Sequence, residues 1–180
     1  MKVVGAAFKS GGLAVFTDTQ TVDANTFTVG TLDISTAPTT ALVTYSAMAP
    51  GDTVTSSIVV TNSGTLTLRY AIAATATNAD AKALKDQLTL TIKTVDVTTP
   101  GTPCNDFDGT QLYTGDLDST AGKLVGDSTQ GAQAGDRTLT AAANETLCFR
   151  VTLPLSTGSS YQGAATTATF TFDAEQTANN

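Results

Sequence analysis

Apolar and polar residues alternate along most of the chain from Thr26 onward. Successive side chains of a strand point to opposite faces of its sheet, so this alternation predicts strands that are buried on one face only. The clearest examples are TLTLRYAIA, LTLTIKTV, ETLCFRVTLPL and ATFTFDA. The side chains predicted to face the core are Leu66, Leu68, Tyr70, Ile72, Leu88, Leu90, Ile92, Leu147, Phe149, Val151, Leu153, Ala168, Phe170 and Phe172. Shorter strands are predicted around 26–34, 41–45, 53–61 and 110–117, which gives about eight strands.

Two segments depart from the alternation. The stretch NADAKALKDQL, 78–88, has Ala, Lys and Leu at helical spacing after Asn78, a candidate N-cap, and we predict a short helix there. The stretch 118–138 is rich in Gly, Ser, Asp and Gln and is predicted to be an irregular loop.

Half-buried strands without a dividing linker predict one all-β domain built as a two-sheet sandwich. Jelly-roll and immunoglobulin-like packing both satisfy this pattern, and composition does not choose between them. We assign residues 16–180 to this domain and residues 1–15 to an apolar N-terminal arm or leader remnant. The pair Gly11-Gly12 would act as a hinge between the two.

Composition agrees with a β-protein and narrows the function. Threonine, a β-branched residue that suits pleated surfaces, occupies about a fifth of the positions. The net charge is −7, with only nine Lys and Arg, so we expect no nucleic-acid partner, since such binding needs a basic surface. No apolar run reaches the length of a transmembrane helix, and we expect no membrane insertion.

The chain contains no histidine, which removes Ser-His-Asp and Cys-His catalysis, His-ligated zinc and the H-E-x-x-H helix. Its two cysteines, Cys104 and Cys148, are too few for a Cys-only zinc site. An even number favours one disulfide in an oxidising compartment, and two buried thiols are the alternative. In the alternation of its strand, Cys148 points away from the core or marks an irregularity.

Several acidic and polar residues are candidates for chemistry. Asp106 and Asp108 precede Gly109 with a spacing that resembles a calcium loop, but an ordinary hairpin turn explains them better. Glycoside hydrolysis needs paired carboxylates across a cleft, and the absence of Trp argues against that role. The carboxylates considered for it are Asp18, Asp33 and Glu175. Asn144 begins a glycosylation sequon whose use depends on the host.

Four stretches, taken in order, resemble the TasA/camelysin family of secreted bacterial and archaeal surface proteins. They are FTDTQTVDANTFTVGTLDIS at 16–35, MAPGDTVTSSIVVTNSGTLTLRYAI at 48–72, CNDFDGTQLYTGDL at 104–117 and YQGAATTATFTFDAEQT at 161–177. The resemblance implies a jelly-roll β-sandwich, exported with a leader that a dedicated signal peptidase of the SipW type removes. It also implies assembly into extracellular filaments of a biofilm matrix, in which the N-terminal segment of one subunit completes a sheet of its neighbour.

The resemblance implies that the donor strand in this chain is the N-terminal arm, from Val3 to Val15. Its candidate interface residues are Val3, Val4, Ala6, Phe8, Leu13 and Val15. The family's cleavage point would fall near Ala14, and a cut there would leave Val15 to Thr21 as the donor. An unpaired sheet edge is a template for another chain, so the apolar arm on its glycine hinge suits this role. The alternative is a disordered tail on a monomeric sandwich.

We therefore expect a secreted, homopolymeric structural subunit without catalysis or cofactor. A monomeric adhesion or accessory module on the same fold is the first alternative. A camelysin-like metalloprotease is the second, although Asp and Glu ligands alone suit harder cations than zinc.

Overall fold

The computed structural model of the chain describes residues 26, 28–40, 47–95, 104–119 and 121–178. The strands are β1 (Ile34–Ala37), β2 (Thr53–Asn62), β3 (Leu68–Ala76), β4 (Thr89–Thr94), β5 (Gln111–Asp116), β6 (Lys123–Val125), β7 (Arg137–Leu139), β8 (Asn144–Thr152) and β9 (Ala168–Gln176). Two single turns of 3-10 helix, Leu84–Asp86 and Ser159–Tyr161, complete the regular structure of the described residues.

These strands form two antiparallel sheets. The first has the order β1-β2-β8-β4-β5. In the second, β3 pairs with β9 along one side and with β6 and β7 along the other. The two sheets pack face to face, with their inner side chains forming one core. The predicted all-β sandwich is confirmed.

The core consists of the side chains that alternate inward from both sheets. Leu68, Tyr70 and Ile72 of β3 are buried, as are Leu147 and Phe149 of β8. The ring of Phe149 meets that of Phe170 on β9 edge to face, with centroids 5.2 Å apart. Such a contact joins the two sheets and adds about 0.5–1.5 kcal/mol beyond burial. Alternation therefore identified the core face of these strands correctly.

Asn62, at the end of β2, is a fully buried polar residue. Its side-chain amide donates to the carbonyl oxygens of Leu66, at 2.8 Å, and of Leu139 and Thr140, at 3.1 and 3.0 Å. Its Oδ1 accepts the Gly64 N–H at 3.0 Å. One side chain thus satisfies backbone groups at the ends of three strands, as a buried amide must.

A second polar link crosses the core between the sheets. Tyr70 of β3 donates its hydroxyl hydrogen to Glu145 of β8 at 2.6 Å, and Arg137 of β7 pairs with the same carboxylate. Burial, reinforced by the hydrogen bond to Glu145, raises the pKa of Tyr70 well above its ordinary value. The tyrosine therefore stays a neutral donor at all moderate pH values.

The four shorter strands predicted from the sequence have different outcomes. The strands predicted at 53–61 and 110–117 are present, and the one at 41–45 lies outside the described residues. The strand predicted at 26–34 is wrong for most of its length, because β1 begins only at Ile34. The backbone carbonyls of Thr31 and Asp33 instead accept hydrogen bonds from the turn at 63–66.

The helix predicted over 78–88 is reduced to Leu84–Asp86. Ala81 and Ala83 have positive φ angles of 57° and 55°, which interrupt any helical ladder. Asn78 still accepts a backbone hydrogen bond, but from Ala83 at 2.7 Å within this turn. A segment this short has little helical stability of its own, so the tertiary contacts decide its conformation.

The loop predicted over 118–138 contains β6 and the start of β7. Both are three-residue strands that pair with β3. A strand of three residues is too short to show alternation in the sequence. These two strands form because β3 offers them an edge to pair with.

Candidate functional site

The nine-residue strand β9 is an edge strand within the described part of the chain. One side pairs with β3 over its full length, from Ala168 opposite Ala76 to Gln176 opposite Leu68. On the other side, no strand of the described residues pairs with it. A long unpaired edge presents a row of backbone donors and acceptors.

The hydrogen bonds that flank β9 show which of its backbone groups are on that side. Thr77 donates to the carbonyl of Thr167 at 2.9 Å, and Thr177 donates to the carbonyl of Thr67 at 3.1 Å. Hydrogen-bonded pairs alternate with non-bonded pairs in an antiparallel ladder, so the odd-numbered residues of β9 bond to β3. The even-numbered residues direct N–H and C=O toward the unpaired side. They are Ala168, Phe170, Phe172, Ala174 and Gln176, of which Gln176 already accepts a hydrogen bond from Arg69 at its carbonyl oxygen.

A groove of about 800 Å³ opens beside the first half of β9. Val54 of β2 and Leu153, just after β8, line it from the first sheet, and Phe170 lines it from the second. Leu84 and Leu88 complete its apolar surface. The groove therefore lies between the sheets, where the inward face of a strand added to β9 would be placed.

Among the described residues, one buried side-chain polar atom at this groove has no hydrogen-bond partner. The Thr157 hydroxyl is buried and has no hydrogen-bond partner among the described residues. An unmade hydrogen bond at a buried hydroxyl costs about 1–3 kcal/mol, so this hydroxyl has a reason to take a partner from outside the described residues.

Hydrogen bonds between two loops hold the rim of the groove. Asp80 accepts the Ala165 N–H at 2.8 Å, and Lys82 donates to the carbonyl of Gln162 at 2.6 Å. The bonds from the backbone N–H groups of Ala165 and Lys82 lower the pKa of Asp80. The segment that carries Thr157 to Thr167 is thereby fixed against the turn after β3.

The cysteine region lies on the outer face of the first sheet. Cys104 and Cys148 form the disulfide, and with Phe107 they make a small buried cluster separate from the main core. Lys93 and Arg150 stand over the Phe107 ring, 4.9 and 3.8 Å from its centroid. Cys148 thus points away from the main core, as its position in the alternation predicted. Sequence reasoning missed both cations, because nothing in their spacing links them to Phe107.

The metal and carboxylate candidates occupy separate places. Asp106 and Asp108 flank Phe107 in this loop. Glu175 pairs with Arg69 and accepts the Gly131 N–H, whereas the Asp33 carbonyl accepts the Ser63 N–H. Within the described ranges no group of three or more His, Cys, Asp or Glu side chains is placed to hold a metal ion.

The remaining candidates lie apart from the groove or outside the described residues. Asn144 is the exposed first residue of β8. Asp18 and the donor-strand residues between Val3 and Val15 lie outside the described residues. The groove was found only in the structure, because Val54 and the segment of Leu153 and Thr157 are far apart in the chain.

Fold and site together define an antiparallel β-sandwich protein with one disulfide and an unpaired sheet edge beside an apolar groove. The chain belongs to the family described as camelysin metallo-endopeptidase, the TasA/camelysin family, whose model matches residues 1–180. No curated protein matches the chain. No helix among the described residues has the length and apolar character needed to cross a membrane.

Proposed function

We propose that this chain is a structural subunit of an extracellular filament, in which a strand from one copy is added to β9 of the next. The observation that carries the proposal is the unpaired side of β9, with the N–H and C=O groups of its even-numbered residues directed outward. An added strand satisfies those groups and places alternate side chains in the groove.

A contact of this kind can repeat from one copy to the next. The acceptor edge and a donor segment are different parts of the same chain, so the contact is heterologous. Repeated without closure, a heterologous contact gives a filament. Membership of the TasA/camelysin family supports a secreted role for such a subunit.

The family description also names a metallo-endopeptidase, which implies a catalytic metal, usually zinc. The residues do not fit that metal. The chain has no His, both Cys are in the disulfide, and the described residues offer no cluster of three ligands. A casein digestion assay with and without chelator tests the protease alternative, and chelator-sensitive cleavage by the purified chain would support it.

The filament proposal is tested at Ala174, whose N–H points to the unpaired side of β9. Ala174→Pro removes that donor and places a ring at the edge, while the bonds to β3 stay intact. We expect wild type and the control Ala174→Ser to form filaments by negative-stain electron microscopy, and Ala174→Pro to remain unassembled with a similar melting temperature. Filaments of Ala174→Pro that match wild type would refute strand addition at β9, and a monomeric wild type would favour the adhesion module.

A further inference from the structure

We propose that the outer face of the first sheet binds an acidic polysaccharide. In this site Arg150 and Lys93 take a carboxylate of the sugar chain, and rows of threonine hydroxyls take its hydroxyl groups. The site is separate from β9 and its groove, so the inference goes beyond the proposed function and does not depend on it.

The site begins with two cations that no described ion pair includes. The ion pairs of the described residues are made by the cations Arg69, Lys85, Lys123 and Arg137. Lys93 and Arg150 are absent from them, and both stand over the Phe107 ring. Neighbouring cations repel each other, so their grouping in a chain of net charge −7 favours an anionic ligand.

The loop that carries Phe107 is fixed at both ends. Cys104 is joined to Cys148 of β8 by the disulfide. At the other end, the Thr94 N–H donates to the Thr110 carbonyl at 2.9 Å, and the Thr110 N–H donates to the Thr94 hydroxyl at 2.9 Å. The ring is therefore held over the sheet, and the two cations against it are positioned before a ligand arrives. Such preorganisation lowers the entropy cost of binding.

Arg150 keeps most of its hydrogen-bonding capacity. A guanidinium donates from Nε and from both Nη groups. The Nε of Arg150 donates to the Thr55 hydroxyl at 2.9 Å, and its Nη groups make no hydrogen bond to the described residues. A planar guanidinium of this kind binds a carboxylate through two parallel hydrogen bonds. Lys93, whose ammonium donates to the Phe107 carbonyl at 2.9 Å, supplies a second charge beside it.

Threonine hydroxyls extend from Arg150 across the sheet. Arg150 is paired with Thr55 of β2 and Thr91 of β4, and Thr91 is paired with Thr114 of β5. The hydroxyl oxygens of Thr91 and Thr114 lie 3.2 Å apart, so they share the outer face. The next outward row contains Thr53, Thr152 and Thr89. Each hydroxyl is both a donor and an acceptor, as a sugar hydroxyl is, and neighbouring strands repeat it at about 4.7–4.9 Å.

This combination of groups selects a polysaccharide among the possible polyanions. A nucleic acid needs many cations for its phosphates and open aromatic rings for its bases, whereas Phe107 is only 7% exposed. A protein partner needs an apolar anchor at the centre of its interface, and the threonine rows offer none. Spaced carboxylates among many hydroxyls match the face.

The ligand side is tested with hexagalacturonate, an oligosaccharide that carries a carboxylate on every sugar, by isothermal titration calorimetry at low ionic strength. The control ligand is its full methyl ester, which keeps the ring hydroxyls and lacks the charge. We expect the wild-type chain to bind the acid and not the ester, with an affinity that falls as salt is added. Equal binding of the two ligands would overturn the role of the carboxylate.

The protein side is tested with Arg150→Gln and Lys93→Gln, which remove a charge. We expect Arg150→Gln to weaken binding at least about tenfold, because it loses a charged hydrogen-bonded pair, and Lys93→Gln to weaken it less. The matched control is Lys82→Gln, which removes the same charge from an exposed lysine at the rim of the groove. An equal loss in the control would show that net charge alone governs binding and would overturn the site.

The hydroxyl row has its own variant. Thr91→Val removes a hydroxyl at nearly constant shape and should weaken binding about threefold or more. An unchanged affinity would overturn the part assigned to the threonines.

Two further measurements complete the test. Melting temperatures identify any variant that fails to fold, and the comparison of acid with ester needs no substitution. Oligothymidylate of the same charge should bind more weakly than hexagalacturonate, and equal binding would show a general polyanion surface and overturn the polysaccharide. Ala174→Pro should bind hexagalacturonate as wild type does. A wild type that binds none of these ligands would overturn this inference and leave the filament proposal unaffected.

Discussion

Polar side chains in this sandwich hold backbone segments in place, and Asp127 shows how. Its carboxylate accepts hydrogen bonds from the Lys123 ammonium, the Thr129 N–H at 3.0 Å and the Thr129 hydroxyl at 2.8 Å. The Lys123 hydrogen bond is the largest of the effects that lower the pKa of Asp127, from its ordinary 3.8 to about 2. These bonds shape the connection after β6, where the sequence alone predicted no order.

That pKa predicts a dependence of stability on pH. Because the folded-state pKa is depressed, the unfolded chain binds more protons as the pH falls below 4. The contribution of Asp127 is fully present above about pH 4 and is lost as the pH falls to about 2. We expect the free energy of unfolding of wild type to fall more steeply over this range than that of Asp127→Asn, as measured by urea denaturation at a series of pH values. Parallel curves for the two proteins would contradict the assignment.

Among the elements, length and burial decided what could be predicted from the sequence. Strands β2, β8 and β9 have nine or ten residues, and their inward apolar side chains are buried on β2 and β8 and half-buried on β9, so alternation reveals them. The three-residue strands β6 and β7 exist only through pairing with β3, which no local pattern shows. The sequence predicted that some sheet edge would be unpaired, but not that this edge is β9, because that depends on the order of the strands in the sheet.

A close approach of two backbones explains part of the motif that the sequence analysis singled out. The segment before β1 bonds to the turn after β2, with the Thr31 carbonyl accepting the Thr65 and Leu66 N–H groups at 3.0 and 3.2 Å. A Cβ built on Gly64 would lie 2.4 Å from that carbonyl oxygen. Position 64 therefore requires glycine, because any side chain there would collide with the Thr31 carbonyl.

We accordingly expect Gly64→Ala to separate the two segments and lower the free energy of unfolding by about 1–3 kcal/mol, the usual range for forced overpacking. Gly158→Ala is the control, because the nearest atom to its added Cβ is 3.9 Å away and its φ of −78° suits alanine. Chemical denaturation measures both. Equal stability of the two variants would show that the backbones can separate without cost.

At the scale of the whole molecule, distant segments of the chain are joined by pairing and by one covalent link. Strand β2 pairs with β8, and the disulfide connects the loop before β5 to the outer face of β8 across 44 residues. The sequence predicted both the class of fold and the cysteine pair. It could not predict the sheet order, because pairing between distant strands depends on their combined packing.

Loss of the disulfide should therefore affect the entire domain. In the chain-entropy description, closing a loop of 44 residues stabilises the fold by about 4 kcal/mol, and we expect the double variant Cys104→Ser/Cys148→Ser to lose about that much. Chelator added to the wild type should leave the melting temperature unchanged, because the described residues stabilise the domain with this bond, ion pairs and the core. Calorimetry compares the two treatments directly. A fall in melting temperature with chelator that rivals the effect of the double variant would mean that a bound metal stabilises the fold, and would reopen the metallo-endopeptidase reading against the filament.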